Sequence, residues 1–326
     1  MAVAASREND LPGFPPPDSP RDVPGTPVPA ELAAKLARLR AGHPSRPEYL
    51  ATARAREAEY ADHIAAVKEA VADANACGQT TRLLHSIDGR GEVWTTDRRA
   101  QHDKIIHDLY TAASAVRCDG QAIIVGGLPG AGKTTVVREH LGADRAGWLV
   151  INPDVIKYEL AARELVPRFG QLTPMEATEL AHEESSHIAK RLAGRALAEH
   201  KNVVWDITMA SGRSTAERID QLRDAGYARI DGIFVEVPLE TSLERVAARH
   251  RKDDDRYRAT GDGLGGHFVP DRVIEAQADL QWGSTNRRSF EQLKDRFDMW
   301  YCYDNSGARP MLKDQFPARH DDLDHP

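Results

Sequence analysis

Residues Gly127 to Thr134 read GLPGAGKT, directly after the apolar run Gln121-Ala122-Ile123-Ile124-Val125. A β-prone run, a glycine-rich turn and a helix start, in that order, form the setting in which G-x-x-x-x-G-K-[ST] cradles phosphate. Gly127, Gly130 and Gly132 let successive backbone N–H groups turn inward toward phosphate oxygens, an approach that a Cβ would obstruct. Lys133 brings a point charge to the β- and γ-phosphates, and the Thr134 hydroxyl is a ligand for Mg²⁺. A helix expected from Thr135 to Leu141 turns its N-terminal dipole on the same anion. Leu128, Pro129, Ala131 and Thr135 complete the stretch that would touch the nucleotide. The loop implies a nucleoside triphosphate, ATP or GTP, with Mg²⁺, and leaves open what is done with it.

Two carboxylates fall where such a loop needs them. Asp154, in Val150-Ile151-Asn152-Pro153-Asp154, sits just past the end of a second expected strand, the edge at which open α/β sheets bind ligands. It is either a base that accepts a hydroxyl proton during attack on phosphorus or the N-cap of the following helix. Asp206 ends the apolar strand Asn202-Val203-Val204-Trp205, with Thr208 two positions on. A carboxylate there meets Mg²⁺ or substrate, or else closes a turn. Arg245 and Arg249, four apart, share a face of the helix expected over 239–250, and Arg251, Arg256 and Arg258 follow. Guanidinium groups over a nucleotide stabilise charge on a transferring phosphoryl, although most helix arginines are only solvated. The run HEESSHI, from His182, is not H-E-x-x-H, because five residues separate its histidines, so a zinc protease is disfavoured. Its polar turn, Glu184 included, faces either substrate or solvent.

The elements that must position these residues alternate. Strands are expected over 148–152, 202–207, 230–237 and 298–303. Helices are expected over 155–165, 174–199, 214–225, 239–250, 270–280 and 286–296. Such alternation implies a parallel sheet with helices on both faces. The segment Arg251 to Pro270 combines glycines with charges and reads as a mobile lid. Ahead of this core, residues 1–29 are rich in proline and read as a disordered arm. Residues 30–119 form a helical region: a short helix over 30–40, a long one over 48–76 striped by Tyr49, Ala53, Tyr60, Ile64, Val67 and Val71, a loop or hairpin over 83–94, and a helix from Asp97 with Ile105, Ile106, Leu109 and Tyr110 buried. Residues 313–326 read as an acidic tail.

Composition narrows the functional classes. With 43 Lys+Arg against 50 Asp+Glu, a formal charge of −7 disfavours a polynucleotide partner. Cys77, Cys118 and Cys302 are odd in number and widely spaced, which indicates neither a disulfide framework nor a zinc site. No apolar run approaches a membrane span and no signal-peptide pattern opens the sequence, so a cytoplasmic protein without membrane contact is expected.

GLPGAGKT, INPDVIK, the HEESS helix, NVVWDIT, VPLETSLERVAARH and GGHFVP follow one another in the order and spacing of the zeta toxin family of bacterial kinases, which the chain resembles over about residues 121–280. The resemblance implies an α/β P-loop NTPase/kinase-type fold, here over 120–312 with the N-terminal helical extension. It also implies an ATP- or GTP-dependent phosphotransferase of toxin–antitoxin systems. The acceptor it suggests is a hydroxyl of UDP-N-acetylglucosamine or another nucleotide-linked metabolite such as NAD. By the resemblance, Lys133 and Thr134 serve phosphate and Mg²⁺, Asp154 is the base, and Asp206 and Thr208 lie near metal and substrate. Arg249, then Arg245, match a lid arginine, and His267 stands where some members carry a second lid cation. A helical antitoxin blocks the nucleotide site in the family, so an antitoxin protein, or the N-terminal helices acting in cis, is the expected partner. Other classes remain: a polynucleotide kinase, or a nucleotide-dependent switch, against which no N-K-x-D motif is present.

Overall fold

The computed structural model describes residues 46–317, with only the backbone given over 46–53. The proline-rich arm, the short helix expected over 30–40, the side chains of Tyr49 and Ala53, and residues 318–326 lie outside the described residues. Contacts divide the chain into two units, Met1–Glu59 and Tyr60–Pro326. The described part of the first is helical, with exposed side chains over 54–59. All that follows concerns the second.

Apolar strands that must bury both faces form the centre. β1 (Gln121–Gly126), β2 (Leu149–Ile151), β3 (Val203–Asp206), β4 (Arg229–Glu236), β7 (Met299–Asp304) and β8 (Met311–Phe316) make one sheet in the order β2-β3-β1-β4-β7-β8. Every pairing is parallel except β7 with β8. Near-continuous apolar strands of this kind need helices on both faces. The two core clusters meet that need, one holding Ile124, Ile188, Leu192 and Phe234, the other Ile123, Val125, Val136 and Val235. Alternating residues of β1 thus point to opposite layers. The remaining strands, β5 (Ala278–Asp279) and β6 (Gly283–Ser284), form a small antiparallel hairpin.

The register sets the site. Val125 pairs with Asp206 on one side and with Ile233 on the other, so β3 ends beside the point where β1 enters its glycine loop. β2 flanks β3, and its exit leads through Asn152 into α5 (Pro153–Ala162), which follows α4 (Lys133–Leu141) in the chain.

The N-terminal helices pack as elements of the same core. From Tyr60 on, α1 (Arg46–Ala76) buries Val67, Val71 and Ala74 against Leu180 and Phe268. α2 (Thr81–His85) takes up the start of the expected loop or hairpin, whose remainder is a loop closed by the antiparallel Ser86–Trp94 bridge. α3 (Thr96–Ala112) places Ile105, Ile106 and Tyr110 in the main core.

Several elements differ from expectation for local reasons. The helix expected over 174–199 is a 3₁₀ turn, Glu176–Ala181, followed by α6 (His182–Ala198). Glu176 folds back to accept the Thr173 N–H at 2.7 Å, which favours the tighter turn. α7 (Gly212–Asp224) is as expected, but α8 runs from Leu239 to Thr260, through half of the segment read as a lid. That half contains no glycine or proline. Its charges pair along the helix, Arg258 with Asp254 at 2.6 Å, until Gly261 ends it at φ 74°. The helix expected over 270–280 stops at Glu275, as α9 (Asp271–Glu275), and gives way to the β5–β6 hairpin before α10 (Thr285–Leu293). The acidic tail expected from 313 instead continues the sheet: Met311–Phe316 is β8, an antiparallel edge that hydropathy alone does not mark.

Candidate active site

The glycine loop has the shape its sequence demands. Gly127 takes φ 137°, and a Cβ there would lie 2.3 Å from the Val235 carbonyl oxygen. A Cβ on Gly132, at φ 85°, would lie 2.3 Å from Asn305 Nδ2. Two side chains brace the loop from outside: Asn305 donates to the Ala131 carbonyl at 2.7 Å and the Ser242 hydroxyl to the Pro129 carbonyl at 2.6 Å. Thr134 and Thr135 stand in the first turn of α4, Thr134 exposed. Lys133 Nζ donates to the carbonyls of Gly127 and Leu128 at 3.2 and 3.3 Å, and lies 3.9 Å from Asp206 Oδ1.

Asn152 ties both acidic residues, one through its backbone and the other through its carboxylate. As N-cap of α5 its Oδ1 accepts the Asp154 N–H at 2.7 Å, while its Nδ2 donates to Asp206 Oδ2 at 2.9 Å. The capping alternative for Asp154 is thereby taken by its neighbour, and the Asp154 side chain is left exposed. Crowding by protein would raise its pKa, but the His267 ring when protonated and the charges of Lys157, Lys133 and Arg249 outweigh this and hold it below the ordinary carboxylate value. Asp206 shifts the other way. Burial raises it, Asp154 adds to the rise, and Lys133 and the Asn152 hydrogen bond only partly offset it. His267 is buried, with Nε2 3.8 Å from Asp154 Oδ1. Desolvation pushes its pKa down to about 4, with Asp154 opposing, so its ring is neutral near pH 7.

Arg245 and Arg249, both on α8, have separate settings. Arg245 lies along the loop, with Nη2 3.4 Å from the Gly307 carbonyl and its Cβ 3.4 Å from where a Cβ on Gly130 would be. Arg249, one turn on, is exposed, and its charge is felt at Asp154 and His267. Thr208 acts through its backbone: its carbonyl accepts the Gly127 N–H at 3.1 Å and Asn286 Nδ2 at 2.7 Å. Beside it, buried Met209 holds φ 58°, an uncommon conformation for a side chain of its kind, with its sulfur packed on Gly126.

Glu184 is not part of this group. It is fully buried, accepts Arg98 Nε and Nη2 at 2.6 and 2.8 Å, and meets His102 Nε2 at 2.6 Å. Glu184 thus faces α3 rather than substrate, while His182 and Glu183 of the same turn are exposed. His187 shares the setting, its ring 5.7 Å from that of Trp94. The structure brings together Lys133, Asp154, Asp206, His267 and Arg249, and adds Asn152, Ser242 and Asn305. Of these additions only Asn152 left a signal in the sequence, as a capping residue before Pro153.

Fold and loop define the class: a P-loop NTPase/kinase-type α/β domain with an N-terminal helical segment. Residues 123–264 match the family model described as an AAA domain. No curated protein matches the chain. Among solved structures the chain is similar to AvrRxo1-ORF1:-ORF2 with ATP, at 17% identity and TM-score 0.56, covering 73% of this chain and 76% of that one. The AvrRxo1-ORF1:AvrRxo1-ORF2 structure with sulphate ions is similar at 16% identity and TM-score 0.53, over 69% of each chain. The toxin–antitoxin system PezAT of Streptococcus pneumoniae follows at 17% identity and TM-score 0.47, over 68% of this chain and 82% of that one, an overlap too loose to argue from. At these identities the likeness is one of fold. Among the described residues no helix is long and apolar enough to cross a membrane.

Proposed function

We propose that the chain is an ATP-dependent small-molecule kinase of the zeta toxin type. The observation that carries this reading is the ionised, exposed carboxylate of Asp154, set at the strand edge across from Lys133 and within the field of Arg249 and Lys157. In the proposed step an acceptor hydroxyl oxygen forms a bond to the γ-phosphorus, the bond to the β–γ bridging oxygen breaks, ADP leaves, and the hydroxyl proton passes to Asp154. Lys133 and Arg249 stabilise the charge spread over the transferring group, Arg245 guards the loop side, and the loop N–H groups hold the phosphates.

Thr134 and Asp206 are the residues that would hold Mg²⁺. The donor set fits: Asp206 keeps one oxygen fixed by Asn152 while Oδ1 faces the phosphate loop, and the exposed Thr134 hydroxyl opens the helix beside it. Mg²⁺ would neutralise β- and γ-phosphate charge.

The acceptor we favour is a hydroxyl of a nucleotide-linked sugar such as UDP-N-acetylglucosamine, with NAD-like metabolites as the second choice. The role proposed is that of the toxin in a toxin–antitoxin pair acting in the cytoplasm. The AvrRxo1-ORF1 structures are complexes with ORF2, and a protein partner is proposed here by that likeness. A restraint in cis would act on the lid rather than on the loop, since α1 packs on Phe268, next to His267, and Tyr60 donates to the Ala247 carbonyl of α8. The test is incubation with labelled ATP and a panel of UDP-sugars, NAD and oligonucleotides, read by mass spectrometry. One metabolite gaining a phosphoryl group is expected; ATP hydrolysis without any phosphorylated product would favour a switch and overturn the proposal.

A further inference from the structure

Away from the phosphate loop, three segments bring nitrogen and oxygen donors to one point. His63 of α1 sets Nε2 2.7 Å from Glu176 Oε1, and His250 of α8 sets its Nε2 3.1 Å from the same oxygen. The three donor atoms lie within 4.8 Å of one another. Glu176 and His250 are buried and His63 half-buried. Asp254, one turn beyond His250 and 3% exposed, brings Oδ2 to 3.5 Å from His63 Nε2, and its Oδ1 is buried without a hydrogen-bond partner.

The hydrogen-bond directions point to a cation. Tyr60 donates its O–H to the Ala247 carbonyl at 3.0 Å, so at 3.1 Å its oxygen is left to accept from His250 Nδ1–H. A neutral ring protonated on Nδ1 then turns the Nε2 lone pair onto a carboxylate oxygen, which is repulsive unless a positive centre lies between them. The Tyr60 contact is also the kind of outer partner that orients a metal-bound imidazole. Glu176 is suited to the same role, since it is buried and its Oε2 accepts the Thr173 N–H at 2.7 Å, which leaves Oε1 to face the two imidazoles.

We propose that His63, Glu176 and His250 form a binding site for a divalent transition metal, zinc foremost, with Asp254 as the adjoining carboxylate. Two imidazole nitrogens select against Mg²⁺ and Ca²⁺ and suit zinc and its neighbours. Glu176 and Asp254 offset the dication, with Arg258 ion-paired to Asp254 at 2.6 Å on the outer side of the cluster. Zinc–ligand bonds of about 2.0–2.1 Å put tetrahedral donors roughly 3.3 Å apart, and the 2.7 and 3.1 Å contacts reach that with small side-chain shifts. The metal would tie α1 to the helix that carries Arg245 and Arg249, and so couple the N-terminal helix to the lid side of the site.

The untagged full chain, stripped with chelator and dialysed, is titrated with Zn²⁺ alone by calorimetry and with Co²⁺ alone by visible absorption. One equivalent is expected to bind, the Co²⁺ band to appear and the melting midpoint to rise. Asp206→Asn should keep the band, which separates this site from the Mg²⁺ position. His63→Gln, whose partly exposed ring lets the chain fold, should lose the band and weaken Zn²⁺ by more than the roughly 10–100-fold that loss of an outer-shell partner costs. Its metal-free melt should stay near that of the parent. No Co²⁺ band in the folded parent, or an equal band in His63→Gln, overturns the proposal, and the hydrogen-bonded network is then held by protons alone.

Discussion

Asp154 differs from the other carboxylates of the site in being both exposed and surrounded by cations. Removing its charge should therefore affect transfer and not nucleotide affinity. Asp154→Asn is expected to lower kcat about 10²–10⁴-fold, with ATP affinity by calorimetry within about twofold, whereas Lys133→Ala weakens both. The sign of the pH effect follows from the same field. A carboxylate held below its ordinary pKa stays an active base until the pH falls below the usual carboxylate range, so the acid limb of kcat/KM lies at the low end. Arg249→Gln removes one of the cations and should move that limb to higher pH, while Arg245→Gln, on the loop side, should not. Equal limbs in both variants would detach Arg249 from the base. Asp154 was legible from its place after an apolar strand, and Lys133 and Thr134 from the loop pattern. Glu184 was not, because nothing local in HEESSHI says that Arg98 and His102, more than eighty residues earlier, come to meet it.

The Glu184 contact joins two elements, α3 and α6, and its strength has a pH signature. Burial would raise its pKa, yet hydrogen bonds from His102 and Arg98 and their charges lower it from 4.5 to about 2. A depressed folded pKa gives stability that is present above the unfolded value and lost as pH falls through the folded one. The shift corresponds to something on the order of 3 kcal/mol. In urea melts, Glu184→Gln should be less stable than the parent by about that amount at pH 7, and the gap should close between about pH 4.5 and pH 2. A gap that stays constant over that range would mean that the charge does not contribute. Elements whose apolar periodicity is local, such as β1, β3, β4 and α7, were legible in the sequence. The course of α8 past Arg251 was misread because its charges suggested a loop, whereas their i,i+4 pairing supports a helix. β8 was missed because an exposed antiparallel edge has no apolar run to reveal it.

At the scale of the molecule, the sequence separated an N-terminal helical region from a kinase-like domain beginning near residue 120, and packing does not respect that line. α3 delivers Ile105 and Ile106, and the segment after it Val116, to the same core as Ile124 and Leu192. Three such side chains contribute roughly 1.5–3 kcal/mol each. Removing Arg98 and His102 as well leaves Glu184 buried without partners, at a cost of about 3–5 kcal/mol. Together these losses match the roughly 5–15 kcal/mol by which a whole domain is stable. A chain beginning at Gly120 is therefore expected to show no cooperative melt by circular dichroism. One beginning at Thr80, which gives up the α1 contacts with Leu180 and Phe268 and the hydrogen bonds of Tyr60 and His63 to α8 and Glu176, should melt cooperatively at a lowered midpoint. This decides how restraint by the N-terminal helix is to be tested: growth inhibition must be compared between the full chain and the Thr80 version, because an inactive Gly120 version would report unfolding. Stronger inhibition by the Thr80 version would place the restraint in α1, and a cooperative melt from the Gly120 version would show that α3 is dispensable to the core.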